Sequence, residues 1–213
     1  MASSPALPSE PSEPIAEAGA AEPTPPFLRW AGGKRWLVQR LPALLGDFEI
    51  NNYHEPFLGG GALSLGLKIH GHSHLSDLNA ELIETYVQVR DHHVRVSELL
   101  AKHLNTSEHY YEVRAASPEH AVERAAKFIY LNHTSFNGIY RVNLKGEYNV
   151  PFGNRANTTW PSPEVLSAVS KKLTKAHLSV SDFGSSLFVK LSVSHSLTTT
   201  DGNSNGRNAG IHA

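Results

Sequence analysis

Residues 52–79, NYHEPFLGGGALSLGLKIHGHSHLSDLN, constrain the fold more than any other part of the chain. They read as a strand ending at Glu55-Pro56-Phe57, a turn through Gly59, Gly60 and Gly61, a helix of about two turns, and a short second strand ending at Asp77. A strand that turns through glycines into a helix offers bare backbone N–H groups to a ligand at the helix N-terminus. An acid at the tip of the next strand can accept hydrogen bonds from two ribose hydroxyls. The order predicts an α/β, Rossmann-like domain that holds a nucleoside cofactor. At this level NAD fits as well as any other.

The chain of 213 residues is 40% hydrophobic, enough for one domain of ordinary size or a domain with an insertion. A net charge of -1 excludes a global positive field, so any nucleic-acid surface must be local. The absence of cysteine excludes disulfides, thiolate zinc sites and cysteine nucleophiles. The 13 histidines are scattered. His70, His72 and His74 alternate around Gly71 without the helical pairing of a metal site, so solvated or strand-edge histidines are expected, and no metal. No apolar run reaches the roughly 18 residues of a membrane span, and the N-terminus lacks a basic, hydrophobic signal pattern. A soluble, cytoplasmic chain with no membrane partner is expected. Nothing in the sequence specifies an oligomer.

Residues 1–26 are Ala, Ser, Pro and Glu with few large apolar side chains. They cannot offset their ordering entropy and are expected to form a disordered arm. Phe27-Leu28-Arg29-Trp30-Ala31-Gly32-Gly33-Lys34 then precedes an amphipathic run of Trp36, Leu37, Leu41, Leu44 and Leu45. This reads as a helix entry with a packed tryptophan, since Gly-Gly-Lys without a following Ser or Thr is not a phosphate loop. Residues 80–90 predict a helix with Leu82, Ile83, Tyr86 and Val87 on one stripe, and residues 94–104 a second. Ser117 caps a predicted helix that begins at Pro118, turns Ala121, Val122, Ala125, Phe128 and Ile129 inward, and ends near Asn132. These helices interrupt the strand-helix alternation and point to a helical insertion.

Residues 134–154 combine turn residues with aromatics, Asn, Arg and Lys. Lys145-Gly146-Glu147 is a predicted hairpin turn between residues 140–144 and 148–150. Such a hairpin suits the reading of base edges. A packed hairpin with Phe136 and Tyr140 inside fits the same residues. Residues 163–176 predict a helix with Val165, Leu166, Val169 and Leu173 on one face. Residues 177–183 predict a third strand with Asp182 and Phe183 at its tip, where an acid and a backbone N–H could hold an adenine.

In this order, FLRWAGGK at residues 27–34, Glu55-Pro56-Phe57 with its glycine turn, Ser76-Asp77-Leu78-Asn79, the hairpin from Asn137-Gly138 to Gly153, and Asp182-Phe183 resemble the Dam-type adenine-specific DNA methyltransferases. The resemblance covers roughly residues 27–183 and implies S-adenosylmethionine as cofactor and duplex DNA as partner. It implies cofactor contacts for Trp30 and Lys34, the latter near the carboxylate, and for the loop carrying Glu55, Phe57, Gly59 and Gly61. It makes Asp77 similar to the ribose-binding acid, a role compatible with a helix cap, and Asp182 with Phe183 similar to the adenine-binding pair. The hairpin is then similar to the family's target-recognition element. Phe136 would be the aromatic wedge, and Asn137, Ile139, Arg141 and Pro151 base- or backbone-contacting residues. The implied organisation is a cofactor part at residues 27–90, a recognition insertion at 91–160 and a return to the methyltransferase domain at 161–189. The family favours GATC with an arginine after the Pro-Phe-Gly step. Here Asn154 holds that place and Arg155 follows, so the recognised site is specified only as containing adenine.

The exocyclic nitrogen of adenine is a poor nucleophile because its lone pair is delocalised into the ring. The family answers this with Asp-Pro-Pro-Tyr, whose acid and proline carbonyl accept the amine's hydrogens while the tyrosine stacks on the flipped base. That motif is expected soon after Asp182 and does not occur, so no catalytic residue is assigned. The nearest match, Thr24-Pro25-Pro26-Phe27, offers a hydroxyl in place of a carboxylate. Residues 190–213 are polar and without periodicity. The expectation is a truncated or frameshifted methyltransferase, its native tail replaced from about Leu191 onward and its later strands missing, able at most to bind cofactor or DNA.

Overall fold

The structure, a computed structural model, describes residues 24–46 and 48–182. Most of the arm expected at residues 1–26, together with Phe183 and the tail expected at 190–213, lies outside the described residues. Three strands, β1 (Ile50–Glu55), β2 (Ile69–Asp77) and β3 (Ala176–Val180), form a parallel sheet in the order β1-β2-β3. The architecture is α/β and Rossmann-like. Parallel neighbours need a crossover between them. Helix α2 (Ala62–Gly66) supplies the first, and the second carries all the helices of the predicted insertion.

Pairing of Glu55 with Leu75, and of Leu75 with Leu178, puts Leu75, Leu178 and Ala176 on one sheet face, and this face holds the core. The opposite face carries His54, His74 and His177 in register. His54 and His74 stack at 4.6 Å, with His177 at 5.7 Å from His74. His70 and His72, on the central strand β2, are exposed. Among the described residues no three His, Cys, Asp or Glu side chains converge as metal ligands.

Helix α3 (Ala80–Leu100) is the axis of the molecule, packing against β2, β3, α5 (Ala121–Thr134) and α6 (Pro163–Leu173). The Asn79 side chain caps it by accepting from Leu82 N–H at 3.1 Å. The two helices predicted at 80–90 and 94–104 are the two arms of α3, separated by a kink where His92 leaves helical backbone geometry (φ -136°, ψ 32°), and the second arm ends at Leu100. Helix α4 (Ser107–Ala115), capped by Thr106, was not predicted. Helix α5 starts at Ala121 and not at Pro118. Its own Arg124 donates to the carbonyls of Pro118 and Glu119, and Lys127 to that of Ala116, so these carbonyls serve side chains instead of a helical ladder. Helix α6 starts at Pro163 as predicted, capped by the Ser162 side chain, and stops at Leu173, short of the predicted end at 176. Helix α1 (Arg35–Leu45) forms as predicted, but Trp36 and Leu44 of its apolar run are exposed. Packed chain reaches back to Thr24, which is buried and donates its N–H to Leu65 O at 3.2 Å.

The predicted hairpin strands are absent. Only isolated bridges pair Val142 with Tyr148 and Ser135 with Phe152. Asn143 accounts for this: its Oδ1 accepts from the N–H groups of Lys145 and Glu147, closing a side-chain turn where a ladder would continue.

Between α3 and α4, His103 Nδ1 lies 2.9 Å from His109 Nε2, and its ring stacks on Tyr130 at 4.3 Å. Burial first, then the charge of His109, lowers the His103 pKa from 6.5 to about 4. The unfolded chain therefore binds a proton that the folded chain refuses. Stability is full above pH 6.5 and is lost as pH falls towards 4, by roughly 1–2 kcal/mol after discounting for solvent screening. Urea midpoints at pH 7.5 and 4.5 are expected to differ in this sense, with a smaller difference for His103→Gln.

Candidate active site

The core face of the sheet ends in two acids. Asp77, at the tip of β2, accepts from Gly59 N–H through Oδ2 and from Asn79 N–H through Oδ1, both at 3.0 Å. One carboxylate thus fixes the glycine turn to the start of α3. Leu58 N–H donates to Ser76 O at 2.9 Å and draws the same turn over β2. Glu55, at the end of β1, is buried and accepts from Ser64 N–H at 3.3 Å. Burial raises its pKa above the ordinary carboxylate value, against hydrogen bonds from Tyr53 and Ser64 and the positive charge of Lys34.

Trp30 closes the site. Its ring lies against Tyr140, at 5.8 Å, and Phe128, at 6.4 Å, both nearly parallel to it and 5.4 Å from each other, so the three rings form one cluster. A Cβ on Gly59 would fall 2.7 Å from Trp30 Cδ1, and one on Gly60 3.0 Å from Trp30 Cβ. These glycines are therefore needed for the tryptophan to pack on the turn, besides any approach of a ligand. Gly61 serves the fold instead. It caps α2 with φ 64°, and a Cβ there would strike the hydroxyl of Tyr86. Tyr86 is fully buried and donates to Gly59 O at 3.2 Å, pinning the turn from beneath.

The result is a cleft of about 260 Å³ lined by Trp30, Lys34, Glu55, Phe57, Gly59 and Asp77. Six of the nine predicted cofactor residues thus meet in one place. Asp182 is exposed and does not line this cleft, although Ser181 N–H donates to Asp77 O at 3.1 Å and brings the end of β3 beside it. Phe183 lies outside the described residues. The donor set suits a zwitterionic nucleoside: a half-exposed acid for ribose, a buried acid for a cation, and Lys34 for a carboxylate.

The predicted recognition residues form a second feature. A 3₁₀ turn, Phe136–Gly138, follows α5 and holds Asn137 at φ 55°. Phe136 is 53% exposed and Ile139 40%. Asn137, Arg141 and Pro151 are exposed too. Tyr140 packs on Trp30 while Phe136 points out, so the hairpin is both packed and presented. Arg141 is partly engaged, donating from Nε to Asn149 Oδ1 at 2.8 Å and from Nη2 to Asn149 O at 3.2 Å. Arg155 does not stand in for the arginine missing at Asn154. It turns inward and donates to His133 O at 2.7 Å and Ser135 O at 3.3 Å, capping the C-terminal end of α5.

Residues 30–191 match the D12 class N6 adenine-specific DNA methyltransferase family. The chain belongs to this family. It is 35% identical over 163 residues to the type II methyltransferase M1.LlaDCHI of Lactococcus lactis subsp. cremoris, which covers 73% of this chain and 57% of that protein. Over 183 residues it is 36% identical to the type II methyltransferase M.MjaIII of Methanocaldococcus jannaschii, covering 74% and 62%. The DNA adenine methylase of Escherichia coli K12 is 36% identical over 151 residues, covering 68% and 53%. The chain thus spans little more than half the length of these curated relatives.

The family is one of methyltransferases named for the N6 position of adenine in DNA. Sequence reasoning missed the residues that hold the cleft and the turn from behind: Tyr86, Ser64, Asn132 and Tyr110, whose hydroxyl donates to Val150 O at 2.8 Å. Tyr86 belongs to the predicted apolar stripe, and its hydroxyl leaves no trace in the periodicity. Asn132 offered a signal, being an amide next to Leu131 on an otherwise apolar helical face.

Proposed function

We propose that this chain holds S-adenosylmethionine in the glycine-turn cleft and duplex DNA at the Phe136–Gly138 turn, as the donor-binding and target-recognition part of a DNA adenine methyltransferase. A form that also carries Asp-Pro-Pro-Tyr transfers the methyl group to the exocyclic amine of adenine. One observation carries this reading. A hollow of about 860 Å³ runs from Trp30, Gly33 and Gly60 at the cleft to Asn137, Gly138 and Ile139 at the turn. An extruded base entering from the turn would travel towards the donor without leaving the protein surface.

When bound, the cofactor supplies a methyl group on a sulfonium sulfur. The residues of this chain bind and orient. Asp77 accepts from the ribose hydroxyls while keeping the glycine turn in place, Glu55 and Lys34 meet the amino and carboxylate groups, and Trp30 and Phe57 wall the cleft. Asp182 and Phe183 hold the adenine ring of the cofactor. Phe136 fills the gap left in the base stack, with Asn137, Ile139, Arg141 and Pro151 against bases and backbone.

A tritiated-methyl transfer assay tests the division of labour. The 213-residue chain, which contains no Asp-Pro-Pro-Tyr, is expected to bind the donor and a DNA duplex in a salt-dependent manner without incorporation above background. Incorporation by this chain alone would move the chemistry onto residues present here. Phe136→Ala is expected to weaken DNA binding by roughly 5- to 100-fold, the worth of one stacked aromatic. Its thermal midpoint should stay near wild type, because the side chain is 53% exposed. Fluorescence anisotropy at fixed salt, with a melting curve beside it, checks both.

A further inference from the structure

We propose that Asn132 is a positioning residue that makes occupancy of the donor cleft and of the recognition turn interdependent. The inference rests on the reading of cleft and turn given above and adds a coupling between them. Asn132 is 3% exposed, near the end of α5. Its Oδ1 accepts from Arg29 N–H at 2.8 Å, and its Nδ2 donates to Arg29 O at 2.8 Å and to Gly138 O at 3.3 Å. Both amide hydrogens and the amide oxygen are in use. One side chain thus copies a rung of a β-ladder towards residue 29 and extends it to residue 138.

The two peptides it joins stand next to the two functional features. Arg29 precedes Trp30, whose ring packs on Gly59 and Gly60 in the cleft. Gly138 follows Asn137 and closes the turn by donating its N–H to Ser135 O at 3.2 Å. No slack separates them. Gly138 has φ 63°, and a Cβ there would lie 2.8 Å from Arg29 Cδ, 2.9 Å from Arg29 Cβ and 3.2 Å from Asn132 O. The next residue, His133, adds a second tie, with Nε2 at 2.8 Å from Phe27 O. A shift of residues 28–30 when the cleft fills must either carry Gly138 with it or leave buried polar groups unpaired, and the second course is the costlier. By linkage, each ligand then changes the affinity of the other by the same factor, typically roughly 5- to 150-fold.

The test uses the full 213-residue chain. S-adenosylmethionine affinity is measured by calorimetry without and with a saturating, mixed-sequence, adenine-containing duplex, in wild type and in Asn132→Asp. The aspartate keeps an acceptor for Arg29 N–H and loses both donors. Wild type is expected to show a ratio of at least about 5-fold, and the variant a ratio within about 2-fold of unity. A merely structural role would weaken both affinities and leave the ratio unchanged. Should the variant fail to fold, hydrogen exchange in wild type decides: S-adenosylmethionine alone is expected to slow exchange at Phe136 and Gly138 together with Gly59. A wild-type ratio of unity, a variant that keeps the wild-type ratio, or slowing confined to Gly59 would overturn the coupling and leave the functional reading standing. Wild-type protein that binds neither ligand would overturn the functional reading itself.

Discussion

Replacing Asp77 with alanine is expected to weaken S-adenosylmethionine binding by roughly 100-fold or more, since hydrogen bonds to a charged group are worth about 1.5–3 kcal/mol each. The carboxylate does two jobs at once. It holds Gly59 N–H and Asn79 N–H, at 3.0 Å each, and so fixes both the glycine turn and the entry to α3. Its oxygens keep further lone pairs, which the proposed function assigns to the ribose hydroxyls, and the side chain is half-exposed at the cleft. Alanine would remove the proposed ribose acceptor and free the turn on which Trp30 packs. Asp77→Asn keeps one acceptor oxygen and is expected to fall between the two. Calorimetric titration of both variants measures the effect. Unchanged affinity in Asp77→Ala would mean that the ribose is held by another residue.

The largest effect on stability is expected at Gly71, a residue with no part in the site. A Cβ there would lie on top of the carbonyl oxygen of Asn51 and 2.9 Å from its carbonyl carbon. The obstacle is the backbone of the neighbouring strand. It lies where the β1–β2 register shifts between Ile50 and Asn52, so neither strand can yield without losing its pairing. Gly71→Ala is expected to cost more than about 3 kcal/mol and to lower the thermal midpoint by roughly 10 °C. Gly146→Ala makes the comparison informative. Nothing lies within 4 Å of a Cβ there, but φ is +80°, so only the left-handed strain of about 1–2 kcal/mol applies. Melting curves of the two variants should differ accordingly. Near-equal midpoints would show that the sheet can open at Asn51.

Both predictions rest on features that the sequence exposes to different degrees. Asp77 was legible because strand, glycines, helix and acid follow one another within 28 residues, and local order in such a unit dictates local geometry. The division of α3 at His92 was legible as two successive helical segments, 80–90 and 94–104. The start of α5 was misread because Ser117-Pro118 is a sound local cap, whereas Arg124 and Lys127 take the carbonyls of residues 116, 118 and 119 from the side. The hairpin strands were misread because alternation signals a ladder and cannot show that Asn143 closes it with its side chain. Arg155 stood one place from the position expected to meet DNA, yet it caps α5.

By itself the sequence determined the family, the parallel α/β unit and the six residues that meet at the cleft, because each of these follows from short-range order or from motif identity. Only the tertiary structure decided how the cleft is held. Tyr86 reaches Gly59 from 27 residues away and Asn132 reaches Arg29 from 103, and such contacts arise where packing places them, with no period or spacing to announce them. The structure likewise decided that Phe136 faces outward while Tyr140 packs on Trp30. Residues 52–79 hold the acid and the glycines of the site, and the surfaces that close it come from α3, α5 and the segment at residues 27–30.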